Sequence, residues 1–142
     1  MRFMMLVKAT PESEAGALPG PEIIEAMGRY NDELAKAGVL LALDGLQASS
    51  KGARVQYSGE KRTVTDGPFT ETKELVAGFW LIQVRSKEEA VEWAKRVPFE
   101  EGEVEVRQVF ETSDFPADVL PPEEAAREEA LREELERKAA QP

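Results

Sequence analysis

The chain contains no histidine and no cysteine. It can therefore form no disulfide, thiolate nucleophile, Ser-His-Asp or Cys-His arrangement, or zinc site built from imidazole or thiolate. Long apolar runs are missing as well. Phe3 to Val7 is only five residues long, against roughly 7–15 for a secretory h-region and about 20 for a spanning helix. No membrane segment is expected, and a cytoplasmic location is the expectation. Positive charge is scarce: 18 basic side chains face 28 acidic ones, for a net charge of −10. A phosphate backbone binds basic stripes, so nucleic acid is not an expected partner. What remains is 142 residues with an apolar share of 42%, enough for one domain whose core needs no disulfide or structural metal.

Residues 2–8 read as a strand with apolar side chains on both faces: Phe3, Met5 and Val7 on one, Met4 and Leu6 on the other. After a loop with Pro11, Gly16, Pro19 and Gly20, Pro21 suits the first turn of a helix. Ile23, Ile24, Met27, Tyr30 and Leu34 recur at helical spacing up to Gly38. Gly28 inside that helix costs about 1 kcal/mol against alanine, a cost usually explained by close approach of another backbone. Val39 to Leu43 reads as a buried strand, and residues 53–57 and 62–66 as a hairpin across Ser58-Gly59-Glu60. Val76 to Val84 is the strongest strand, again apolar on both faces. Ser86 and Glu89 have capping-box spacing ahead of a helix that Pro98 stops, and Glu103 to Phe110 reads as the last strand.

The order strand, helix, strand, hairpin, strand, helix, strand is a ferredoxin-like α+β pattern with an inserted hairpin. Two helices cover one face of such a sheet. Strands apolar on both faces require cover on the other, and the simplest source is a second subunit, so a homodimer is expected. The alternative is that the C-terminal tail folds under the sheet. That tail follows a linker marked by Asp114-Phe115-Pro116 and Pro121-Pro122. The domain is accordingly placed at 1–112, with linker and charged helix at 113–142. Residues 123–139 carry seven acids and four bases, with Glu128/Arg132 and Glu133/Arg137 spaced to support a helix by a few tenths of a kcal/mol each.

Val64 to Gly78 reads Val-Thr-Asp-Gly-Pro-Phe-Thr-Glu-Thr-Lys-Glu-Leu-Val-Ala-Gly. This segment resembles the signature of the YCII-related family, in its DGPF-domain branch: Asp66-Gly67-Pro68-Phe69, then Glu71-Thr72-Lys73-Glu74, then Gly78 before an aromatic strand. Met4-Met5-Leu6, Ala37-Gly38-Val39, Gly45-Leu46 and Val104-Glu105-Val106-Arg107 agree with it. The resemblance covers about residues 1–110 and implies a dimeric ferredoxin-like α+β barrel. It also implies enzyme-like roles in a cleft. Some members carry a histidine–aspartate pair; a chain without histidine cannot, and must use carboxylate, lysine, tyrosine or bound water instead.

Two readings stand for each group in the signature. Asp66 either accepts backbone N–H bonds in its turn, or is an acid or base at a cleft mouth from which Phe69 and Trp80 exclude water. Glu71, Lys73 and Glu74 form a surface ion-pair cluster, or Lys73 binds an anionic group of a small substrate or, desolvated, acts as base, with Glu71 and Phe69 also at the substrate. Strand parity puts Glu105 and Arg107 on the face opposite Val104 and Val106, as an intersubunit salt bridge or part of a polar pocket binding that anion. Asp44 and Tyr30 are weaker candidates, Tyr30 being better suited to the core. No cofactor is expected, and no spacing supports a metal site from Asp44, Asp66 and Glu71. Two functions remain open. One is a small-molecule enzyme of proton-transfer, isomerase or lyase type, with Asp66 as its acid or base. The other is a non-catalytic binding or assembly module that uses its dimer and acidic tail.

Overall fold

The computed structural model describes residues 1–141. Ten elements follow one another: β1 (Arg2–Lys8), α1 (Pro11–Glu14), α2 (Pro21–Lys36), β2 (Leu40–Gly45), β3 (Ala53–Ser58), β4 (Lys61–Asp66), β5 (Val76–Gln83), α3 (Lys87–Lys95), β6 (Val104–Gln108) and α4 (Pro122–Ala139). Contacts divide the chain into two compact units, the first ending at Val109 and the second starting at Phe110.

In the first unit, four strands form an antiparallel sheet in the order β2-β5-β1-β6. With α2 and α3 as crossovers, this is the ferredoxin-like arrangement that the element order predicts. Alternation decides what each face carries. Phe3, Met5, Trp80 and Ile82 are buried with Tyr30 and Leu34 of α2 and Ala90 of α3. Each large side chain so buried contributes about 1.5–3 kcal/mol. Tyr30 meets the edges of Trp80 and Trp93 at centroid distances of 5.4 and 6.5 Å. Its hydroxyl donates to the carbonyl of Trp93 at 2.7 Å, so Tyr30 belongs to the core. The opposite face carries Met4 and Leu6 of β1, Phe79 and Leu81 of β5, and Glu105 and Arg107 of β6, matched by the register Met4↔Arg107, Leu6↔Glu105 and Met4↔Leu81.

Local chemistry sets the element ends. Helix α2 finishes in a Schellman motif: Val39 N–H bonds to Leu34 O, Gly38 N–H bonds to Ala35 O, and Gly38 takes φ +73°. Ser86 caps α3 by accepting from Glu89 N–H at 3.1 Å. Glu89 reaches back one residue further than a capping box requires, to Arg85 N–H at 3.0 Å. Strand β6 stops at Gln108 rather than Phe110, because its partner β1 begins at Arg2 and supplies its last carbonyl to Val109 N–H.

Two expectations need correction. Leu40–Gly45 is not a buried strand: β2 lies at the sheet edge, paired with β5 alone, and Leu41 and Leu43 are exposed. Gly28 is not there to admit another backbone, since a Cβ at that position would meet nothing within 4 Å.

The hairpin β3–β4 is a separate two-stranded sheet with every residue from Ala53 to Asp66 exposed. In the second unit, a 3₁₀ turn at Thr112–Asp114 precedes α4. Arg132 of α4 lies 3.6 Å from Glu111 and 3.8 Å from Glu128, while Glu134, not Glu133, makes the next i,i+4 pair, with Lys138 at 3.1 Å. Among the described residues, no helix is long and apolar enough to cross a membrane.

Candidate functional site

A cavity of about 950 Å³ opens where β1 and β2 end and β5 begins. Its wall is largely apolar, with Leu18, Ile23, Ile24, Met27, Leu43 and Phe79 among its residues. Ile23 and Ile24 explain why the apolar face of α2 is longer than the core needs. Tyr30 and Leu34 are buried against the sheet, whereas Ile23 and Ile24 are exposed and border the cavity. Trp80 also borders it, held by its indole N–H, which donates to Asn31 Oδ1 at 2.8 Å. The ionisable residues on the wall are Lys8, Lys51, Glu12, Asp44, Glu101 and Glu103, so acids outnumber bases.

Asp66, Phe69, Glu71 and Lys73 of the signature, and Arg107, do not border this cavity. Asp66 ends β4 and is exposed; its carboxylate takes no N–H bond from the turn, contrary to the structural reading of that residue. Glu71 and Lys73 are exposed around a short 3₁₀ turn at Thr72–Glu74, and no ion pair joins Glu71, Lys73 and Glu74 among the described residues. Phe69 lies beneath the guanidinium of Arg54, 3.8 Å from its ring centroid. Arg107 sits on the sheet face opposite the core with Glu105 at 3.2 Å, and Lys8 approaches Glu105 at 3.5 Å. The hydrogen bond from Arg107, followed by the charge of Lys8, holds the Glu105 carboxyl below the usual range. Among the described residues no acidic cluster is suited to a metal ion, and Asp44, Asp66 and Glu71 form none.

The signature instead grips the segment beside the cavity. Gly67 packs so closely on the 3₁₀ turn Ser49–Lys51 that a Cβ there would stand 1.8 Å from Ser49 O. Gly67 N–H bonds to Gly52 O at 3.0 Å, and Phe69 N–H bonds to Ser49 Oγ at 3.0 Å. Ser49 turns its own donors the other way: its N–H reaches Glu14 Oε2 at 2.9 Å, and its hydroxyl donates to Glu14 Oε1. These bonds, the side-chain one foremost, lower the Glu14 pKa. Ser49 and Glu14 carry no motif recognisable in sequence; a serine in a polar loop and an acid in a short helix are ordinary surface residues until the fold joins them.

Comparison with known proteins bears on the family and not on its branch. An uncharacterized protein, R00369, of Rhizobium meliloti (strain 1021) is 38% identical over 60 residues, 42% of this chain and 48% of that protein. The match thus spans about half the length of that relative. Among solved structures, a 5-chloro-2-hydroxyhydroquinone dehydrochlorinase (TftG) from Burkholderia phenoliruptrix AC1100, in complex with 2,5-dihydroxybenzoquinone, aligns with a TM-score of 0.41 and 15% identity. That alignment covers 82% of this chain and 100% of the other. Residues 1–113 match the YCII-related domain, which takes in the whole four-stranded sheet, the hairpin and the cavity; the chain belongs to the YCII-related family.

Proposed function

We propose that the protein is a small-molecule enzyme of proton-transfer, isomerase or lyase type, and that its substrate lies in the cavity at the end of the sheet. The observation that carries this reading is the cavity itself: about 950 Å³ of mostly apolar wall with four acids and two lysines among its residues. With no histidine in the chain and no tyrosine on this wall, the side chains available for acid–base work are carboxylates and lysines. Asp44 at the end of β2 stands on that wall and Asp66 does not, so the role first considered for Asp66 passes to Asp44. The excess of acids favours a neutral or positively charged substrate with an apolar body over an anion. Lys73, Arg107, Glu71 and Phe69 then act outside the substrate site.

Two measurements test this. Nile red, a neutral apolar dye, is expected to bind once per chain and to be excluded by Met27→Trp, which fills the cavity. A panel of small ketones in D₂O is expected to include compounds that take up deuterium only with the protein present, and not with Asp44→Asn. Uptake indifferent to Asp44→Asn, or dye binding indifferent to Met27→Trp, would refute the assignment.

A homodimer is the second part of the reading, supported by the apolar side chains on the sheet face opposite the core. Met4, Leu6, Phe79 and Leu81 lie there side by side and half-buried, with Glu105 and Arg107 next to them on β6, and an apolar patch of that kind suits a two-fold contact. Sedimentation is expected to give twice the 15.8 kDa chain mass, and Leu6→Glu to return it to the monomer. A monomeric wild-type protein at micromolar concentration would remove this part.

A further inference from the structure

The segment Pro11 to Gly20 is bonded mainly to itself. Thr10 and Ser13 form a reciprocal capping box at the N-terminus of α1, with Ser13 N–H on Thr10 Oγ1 at 3.1 Å and Thr10 N–H on Ser13 Oγ at 2.9 Å. The backbone N–H groups of Glu14, Ala15, Gly16 and Ala17 bond to Thr10, Pro11, Ser13 and Glu12 respectively. From Gly20 the chain enters α2, where Gly20 O accepts from Ile24 N–H. Among the described residues, the hydrogen bonds that tie this small body across to another part of the domain are the two from Ser49 to Glu14. The same segment forms one side of the cavity, through Glu12, Ser13, Ala15, Ala17, Leu18 and Pro19, and its tip residue Leu18 is 89% exposed.

We infer that residues 11–20 are a lid over the cavity, latched by the Glu14 carboxylate on Ser49, and that the DGPF turn is the fixed post holding the latch plate in place. The inference rests on the reading that the cavity is the substrate site, and it assigns the signature a mechanical role in place of a chemical one. A self-contained segment joined by a single polar contact moves as a unit when that contact breaks, because no ladder of hydrogen bonds has to be undone with it. The post resists such motion. Ser49 is held from behind by Phe69 N–H and by the close seat of Gly67 against its carbonyl, so rupture falls at the carboxylate–serine bonds. Opening carries the Glu12–Pro19 side of the cavity outward and admits solvent towards Trp80, which borders it.

The test needs no ligand. The chain has two tryptophans, so Trp93→Phe leaves Trp80 as the sole tryptophan, which, excited selectively at the red edge, reports access to the cavity. In that background, Glu14→Ala is expected to raise acrylamide quenching of Trp80 about twofold and amide exchange over residues 11–19 about tenfold, while exchange of core amides in β1 and β5 stays unchanged. Ser49→Ala is expected to do the same. Unchanged quenching would overturn the lid even if exchange rises, and unchanged exchange would overturn the latch. A rise spread over the whole domain would replace both with general destabilisation. Failure of Nile red to bind would count against the substrate site alone, since neither readout here depends on it.

Discussion

Exchanging glycine for alanine at two positions should shift stability in opposite directions. At Gly67 the added Cβ would stand 1.8 Å from Ser49 O, 2.6 Å from its carbonyl carbon and 3.2 Å from Ser50 N. All three are backbone atoms, so no side chain can swing aside and the Ser49–Lys51 turn must move. Moving it breaks Gly67 N–H to Gly52 O and Phe69 N–H to Ser49 Oγ, each worth about 1 kcal/mol net. Alanine recovers about 0.5–1 kcal/mol by restricting the unfolded chain. Gly67→Ala should therefore cost at least about 1–1.5 kcal/mol. Gly28 presents the opposite case: it lies inside α2, with nothing within 4 Å of an added Cβ. Gly28→Ala should stabilise by about 1 kcal/mol, the full difference in helix propensity. Urea unfolding followed by tryptophan fluorescence reads both, as midpoint shifts at constant m-value. A Gly67→Ala protein as stable as the wild type would refute the account of the DGPF turn as a close-packed post.

Other expectations follow from the ionisable and polar groups. Burial pushes the Tyr30 hydroxyl up to about 12 from its ordinary 10.0. The folded state thus holds this proton more tightly than the unfolded chain, and its stabilising contribution is complete below pH 10 and is lost as pH rises towards 12; absorbance titration should show the Tyr30 step move back towards 10 when the protein is unfolded in urea. Glu105 is shifted the other way, by the hydrogen bond from Arg107 and then the charge of Lys8. Its contribution is present above the ordinary carboxylate range and disappears as pH falls through the lowered value, and carboxyl NMR titration of wild type against Arg107→Gln should show the shift shrink. Trp80→Phe leaves Asn31 Oδ1 without its indole donor and should cost about 3 kcal/mol from the lost ring volume and bond together, measured by the same urea titration.

Period and punctuation made most of the fold legible. Alternation in Phe3 to Val7 and in the strand beginning at Val76 assigned both sheet faces correctly, because a one-residue error would have moved Trp80 and Ile82 out of the core. Gly38 marked the end of α2 for the reason the Schellman bonds show. The edge position of β2 was not legible, because Leu40, Leu41 and Leu43 are apolar whether a strand is central or peripheral. Nor was the site. Ile23 and Ile24 looked like ordinary core positions, and only their exposure beside Met27 distinguishes them as cavity wall. The signature drew attention to Asp66, the residue of its motif with chemistry to offer. In the fold it is Gly67 and the backbone of Phe69 that do specific things, through an absent side chain and an N–H that every residue type shares.

The hairpin β3–β4 leaves the domain at Gly52 and rejoins it at Gly67, and a single hydrogen bond closes that neck. Its fourteen residues, 53–66, are all exposed and pair only with each other in the sheet. The neck makes the hairpin an exchangeable cassette. A longer ribbon, a shorter turn or a foreign peptide grafted beyond Arg54, whose guanidinium lies on Phe69, would inherit the same fixed footing, leaving sheet, cavity and latch as they are. Variation in length among related chains should concentrate at this one point.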